Sequence, residues 1–86
     1  MAKNSYRESI SSHVARIVRE ERERQNISMV RLAEMSGLSQ GMISLIEHEQ
    51  RNPSLDTLLR ITEALQVELS TVLSRAEQSA KRGAAK

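Results

Sequence analysis

The sequence predicts an all-α fold, a compact bundle of five helices, and three observations carry that expectation. Hydrophobic residues make up 38% of the 86 and include a single aromatic, Tyr6, so any core is aliphatic, which favours helices over an aromatic-rich sheet. Apolar residues recur at intervals of three and four, the period of one helix face. Helix punctuation lies between the apolar runs: Ser28, Ser39 and Ser54 stand ahead of them, Gly37 follows one, and Pro53 precedes another.

The first helix is expected over residues 8–25, after a flexible arm at 1–7. Ile10, Val14, Ile17 and Val18 share one face, while Arg16, Arg19, Arg22 and Arg24 interleave with Glu20, Glu21 and Glu23 toward solvent. Ser28 caps a second helix that ends near Ser36, because Gly37 tolerates the left-handed backbone that closes a helix. Leu32, Ala33 and Met35 are expected to face inward. Ser39 caps a third helix, Gln40 to about Glu47, with Ile43 and Ile46 inward. Two turns do not hold alone in water, so packing on the second helix must set its axis. After Arg51-Asn52-Pro53, Ser54 opens a fourth helix, with Asp56 in the first turn, where a carboxylate suits the positive end of the dipole. Leu55, Leu58, Leu59, Ile61, Thr62 and Leu65 give it a broad apolar face. A fifth helix from Ser70 brings Leu69, Val72 and Leu73 together, and the small polar stretch 76–86 reads as a disordered tail. The folded domain is therefore expected at 8–75, with no internal repeat and with a helix-turn-helix at 28–47.

Composition excludes several classes. The chain has no Cys for a disulfide or thiolate site, and its two His are far apart, so neither a metal nor another cofactor is expected. No Ser, His and acid arrangement and no Gly-rich phosphate loop appears, so an enzyme is not expected, and Met29, Met35 and Met42 read as fillers of core gaps. No uncharged stretch reaches a membrane span, and the opening MAKNSYRES lacks a signal peptide's apolar region, so the expected location is the cytoplasm, without a membrane partner. The net charge of +2 is carried at the two ends, since residues 1–27 and 76–86 each hold +2 and the two segments between them −1 each. Such a balance is compatible with nucleic acid but is a weak footprint of it. The stronger pointer is geometric: two helices met at a short turn containing Gly present one of them to the major groove of DNA.

The stretch from about Val18 to Leu73 resembles the lambda repressor and Cro-like, or Xre-type, helix-turn-helix domain. The resemblance lies in the Val-Arg-Glu-Glu-Arg run ending at Arg22, in Ser28 with Leu32-Ala33, and in Gly37-Leu38-Ser39. It continues through Ile43-Ser44-Leu45-Ile46-Glu47 and Asn52-Pro53-Ser54-Leu55 followed by Thr57-Leu58, about two thirds of the chain in order. It implies a bacterial or phage transcription regulator, of repressor or controller type, that binds a palindromic operator as a homodimer and needs no small-molecule ligand. Base contacts then fall to Gln40, Gly41, Ser44 and Leu45. The Gln40 amide can pair with adenine N6 and N7, and Leu45 or Met42 can touch a thymine methyl. Phosphate contacts fall to Ser28, Met29, Arg31, Ser39, His48, Arg51 and Asn52. Met29 departs from the family, which commonly has Gln there, so backbone amides, Ser28 or Arg31 must supply that clamp. Arg22 and Glu47 match positions where related domains join the first helix to the third by a partly buried salt bridge. Two copies are expected because one short helix reads too few base pairs to select a site. Their interface is expected at Leu65, Val67, Leu69, Val72 and Leu73, which exceed what a five-helix monomer needs to cover the fourth helix. No sensory domain is expected in the chain, so control would come from protein concentration or a separate partner. Two other readings remain open: an antitoxin or adaptor that uses the fold to bind protein, and a domain that has lost DNA binding through Met29 and Gly41.

Overall fold

The computed structural model describes residues 5–84, and among them all regular structure is helical: α1 (Tyr6–Arg24), α2 (Met29–Ser36), α3 (Gln40–Glu47), α4 (Leu55–Leu65) and α5 (Leu69–Ala84). Serine starts each of the first four. Ser28, Ser39 and Ser54 accept from the backbone N–H of Arg31, Met42 and Thr57, each at 3.0 Å. Each such cap contributes about 1 kcal/mol against an Ala in its place. Ser5 does the same for α1 and completes a reciprocal capping box: Glu8 N–H donates to Ser5 Oγ at 3.1 Å, and Ser5 N–H to Glu8 Oε1 at 3.0 Å. Helix α1 thus begins two residues earlier than expected, so Tyr6 and Arg7 belong to it rather than to an arm. Residues 1–4 of that arm, and 85–86 of the tail, lie outside the described residues.

The four helices also end alike. A residue with left-handed backbone, Asn26, Gly37, Glu49 or Gln66, reverses the chain. The next N–H then reaches back five residues: Ile27 to Arg22 O, Leu38 to Ala33 O, Gln50 to Leu45 O, and Val67 to Thr62 O, at 2.8–3.0 Å. These closures keep the connections short, so consecutive helices must cross and bury one common core. Val14, Ile17, Val18, Leu32, Ile43, Ile46, Leu58, Ile61, Leu65, Val72 and Ala76 form its centre. Helix α2 packs on α3 and α4, while α1 lies mainly along α5 and also touches α3 and α4.

Three expectations about the core are corrected. Met35 is exposed, because the inward stripe of α2 runs through Leu32, Ala33 and Ser36, and at 100° per residue Met35 lies roughly a quarter-turn off it. Helix α4 buries Leu58, Ile61, Thr62 and Leu65, leaving Leu55 and Leu59 outside. The stretch expected to be a tail from residue 76 is instead the second half of α5. Ala76 and Ala80 are buried on the stripe begun by Val72, one and two turns further on. Small side chains let α5 lie close along α1, and Arg16 Nη2 donates to Ser79 Oγ at 3.3 Å across that seam. No helix among the described residues is long and apolar enough to cross a membrane, and none of their His, Asp and Glu side chains group in threes fit for a metal.

Candidate nucleic-acid interface

Helix α3 divides cleanly around its axis. Ile43, Ile46 and Glu47 are buried against α1 and α2, while Gln40, Gly41, Leu45 and His48 are exposed and Ser44 is half-buried. At helical spacing the last five share one outward face. The four residues expected at base edges are therefore together, and none of them is charged.

What holds this face in place is the Arg22 guanidinium. Its Nε donates to Glu47 Oε2 at 2.7 Å and its Nη2 to Glu47 Oε1 at 3.0 Å, a fork-to-fork pair that fixes an angle as well as a distance. Its Nη1 donates to the Ile27 carbonyl at 2.8 Å. One side chain thus ties α1, the α1–α2 connection and the end of α3 together. Arg22 is 8% and Glu47 2% exposed, so the pair is shielded from water. The bonds donated to Glu47 push the Arg22 pKa above its ordinary value, outweighing the opposite effect of burial.

Of the residues expected at phosphates, all but Met29 are exposed. Ser28 and Ser39 are exposed caps whose oxygens accept backbone N–H groups, which leaves each hydroxyl proton free to donate outward. Arg31 is exposed and, among the described residues, pairs with Glu34 beside it, at 3.3 Å. Arg51 and Asn52 are exposed in the loop after α3. His48 Nδ1 lies 2.8 Å from the Ser44 carbonyl, and since a carbonyl oxygen only accepts, Nδ1 carries the proton and Nε2 is left for other partners. The exception is Met29, whose half-buried side chain packs against the core. Its contribution at this surface reduces to a backbone N–H in the first turn of α2.

The residues expected at a dimer contact are used within the chain. Leu65 and Val72 are 1% exposed, and Val67, Leu69 and Leu73 are half-buried against the same core, because α5 turns its apolar stripe onto α1 and α4. The outward side of α5 is polar, with Ser70, Thr71, Ser74, Arg75, Glu77, Gln78 and Lys81 exposed. Leu55 and Leu59, 64% and 38% exposed and one turn apart on α4, belong to the apolar face that the sequence predicts for this helix but lie outside the core. That face is broader than one contact can cover.

Comparison with known proteins bears on this surface. The sequence pattern described as helix-turn-helix matches residues 18–72. An uncharacterized HTH-type transcriptional regulator of Mycobacterium tuberculosis is 41% identical over 59 residues, 69% of this chain and 42% of that protein. Control protein C.SmaI of Serratia marcescens is 36% identical over 66 residues, 77% of this chain and 79% of that one. The chain thus spans less than half the length of the mycobacterial relative and most of the Serratia protein. Among solved structures, the clp gene regulator ClgR from Corynebacterium glutamicum matches with a TM-score of 0.79 at 26% identity, covering 88% of this chain and 81% of that one. A mutant of the restriction-modification controller protein C.Esp1396I matches in fold, with a TM-score of 0.77 at 23% identity over 86% of this chain and 95% of that one. The matched segment runs from within α1 to within α5 and takes in the whole α2–turn–α3 unit and its Arg22–Glu47 brace: the chain belongs to the Cro/C1-type helix-turn-helix family.

Proposed function

We propose that the protein is a sequence-specific DNA-binding transcription regulator of repressor or controller type, which inserts α3 into the major groove and reads a palindromic operator as a homodimer. The observation that carries this reading is the outward face of α3, an uncharged set of Gln40, Gly41, Ser44 and Leu45 on a helix braced from behind by Arg22 and Glu47. A rigid helix is what base readout requires, since hydrogen bonds to base edges discriminate only at fixed geometry. Exposed hydroxyls at Ser28 and Ser39, guanidinium groups at Arg31 and Arg51, the His48 imidazole and the Asn52 amide supply the polar groups that phosphate contacts need. The name of the Serratia relative, a control protein matched over most of its length, supports the controller type.

Two copies are required by energetics, because a single short helix covers about four base pairs and a genome offers too many such sites. The second copy is assigned to Leu55 and Leu59, the exposed apolar pair on α4. The test is selection of duplexes from a random pool, followed by fluorescence anisotropy on the recovered site. A two-fold symmetric site, a steep loss of affinity with added salt, and a loss of about 1 to 3 kcal/mol in Gln40→Ala are expected. Recovery of no preferred duplex, with weak binding that ignores salt, would overturn the proposal.

A further inference from the structure

We infer that Gly41 and Leu45 form an apolar step that takes the 5-methyl group of a pyrimidine, which makes operator binding depend on base methyls. This inference rests on the DNA-binding reading and specifies what the site recognises. Leu45 is 36% exposed on the side of α3 turned away from the core, so part of a large aliphatic side chain is offered outward. Met42, the other apolar candidate on α3, is half-buried and packs against the core, so it is committed elsewhere.

The shape follows from helix geometry. A helical side chain leans back toward the N-terminus and covers the turn before its own Cα, so Leu45 stands over the turn that contains Gly41. Position 41 has no side chain, and a Cβ built there would meet only Ser39 Oγ, at 3.9 Å. The result is an open ledge floored by the Gly41 backbone and walled on one side by Leu45, with Gln40 next to Gly41 at the helix start. On the major-groove edges of the bases, the apolar group small enough for such a ledge is the methyl at pyrimidine C5. A glycine in an exposed helix turn weakens the helix, and the ledge gives that position a use.

Thymine and 5-methylcytosine both carry this methyl, and the experiment separates them. In the selected duplex, each thymine is replaced in turn by deoxyuridine and each cytosine in turn by 5-methylcytosine, and affinities of the full-length protein are measured. We expect one deoxyuridine position per half-site to weaken wild-type binding about four-fold, the factor expected from burying one methyl. A gain of similar size on 5-methylcytosine, without a loss on deoxyuridine, would support the ledge and assign it to methylated cytosine. Leu45→Ala should still bind the selected duplex, more weakly, and no longer distinguish methylated from unmethylated versions. Gly41→Ala should lose the same discrimination while the free protein melts at a higher temperature, which separates a filled ledge from a damaged fold. Wild-type indifference to every methyl, or unchanged discrimination in Leu45→Ala, overturns the inference but leaves DNA binding standing. Failure to recover any duplex overturns both.

Discussion

At the scale of single residues, the decisive group is Arg22, all of whose nitrogens have protein partners. Replacing it by Ala leaves the Glu47 carboxylate, one of the most buried side chains, without its counter-ion. A loss of about 3 to 5 kcal/mol in urea unfolding is expected, and Lys should rescue little because it lacks the planar fork. Arg22→Met combined with Glu47→Leu should recover much of the stability and little of the DNA affinity, since an apolar pair fills the volume without fixing the angle of α3. Wild-type unfolding in Arg22→Ala would show that the brace is idle. Glu21 gives a second test at this scale. Hydrogen bonds donated by Arg24 hold its carboxyl below the usual carboxylate range, against the opposing effect of burial, with smaller help from Gln25 and Arg75. The folded value lies below the unfolded one, so this stabilisation is complete above the unfolded carboxylate range and drains away as pH falls through the folded value. Glu21→Gln should lower stability at neutral pH, where this stabilisation is complete, and flatten the acid side of the profile, where the wild type loses it. Equal acid slopes in variant and wild type would contradict this assignment.

At the scale of elements, the sequence was most readable where one residue type has one physical use. The Ser caps of α2, α3 and α4 and the Gly37 closure were legible because few residues serve those positions. The box at Ser5 and Glu8 is legible too, as Ser followed three residues later by Glu, but the charge and polarity of the opening residues give them the composition of an arm. The closures at Glu49 and Gln66 were not legible, since long side chains without a local hydrogen bond to the backbone enter the left-handed region only when tertiary packing requires it. Asn26 is of a type that enters it more readily. The second half of α5 was hidden for a related reason: Ala76 and Ala80 look like tail composition until α1 is set against them. The outward face of α3 was legible from Ser39 and the Ile43–Ile46 spacing, but the ends of Met29 and Leu65 were not, because both depend on neighbouring helices. The closures differ in cost, which can be measured. Gln66→Gly should relieve left-handed strain and stabilise the fold by about 0.5 to 1 kcal/mol, whereas Gly37→Ala should destabilise it by about 1 kcal/mol. The same sign in both would show that backbone strain does not govern these turns.

At the scale of the whole molecule, the distribution of apolar surface decides how two copies could meet. Helix α5 spends its apolar stripe on α1 and the core, and its outer side is polar, so a seam there would have to desolvate charged and polar groups. Helix α4 has the opposite character, because its inner stripe is complete without Leu55 and Leu59 and the pair stands exposed at its start. Burying two such Leu side chains from each copy would give a two-fold seam an apolar centre, and operator DNA would add to it by binding both copies at once. Leu55→Glu places a charge in that seam and is expected to give a monomer in equilibrium sedimentation at tens of micromolar, where the wild type sediments as a dimer. Since Leu55 is largely exposed in the single chain, the folded monomer should lose no more than about 0.5 kcal/mol. Affinity for the two-fold operator should fall steeply, and affinity for an isolated half-site should stay level. Val72→Glu provides the contrast, because a charge in the core should unfold the chain rather than separate two folded copies. If Leu55→Glu sediments as the wild type does and keeps its operator affinity, the two-fold contact lies elsewhere on the surface, and the broad face of α4 must be explained some other way.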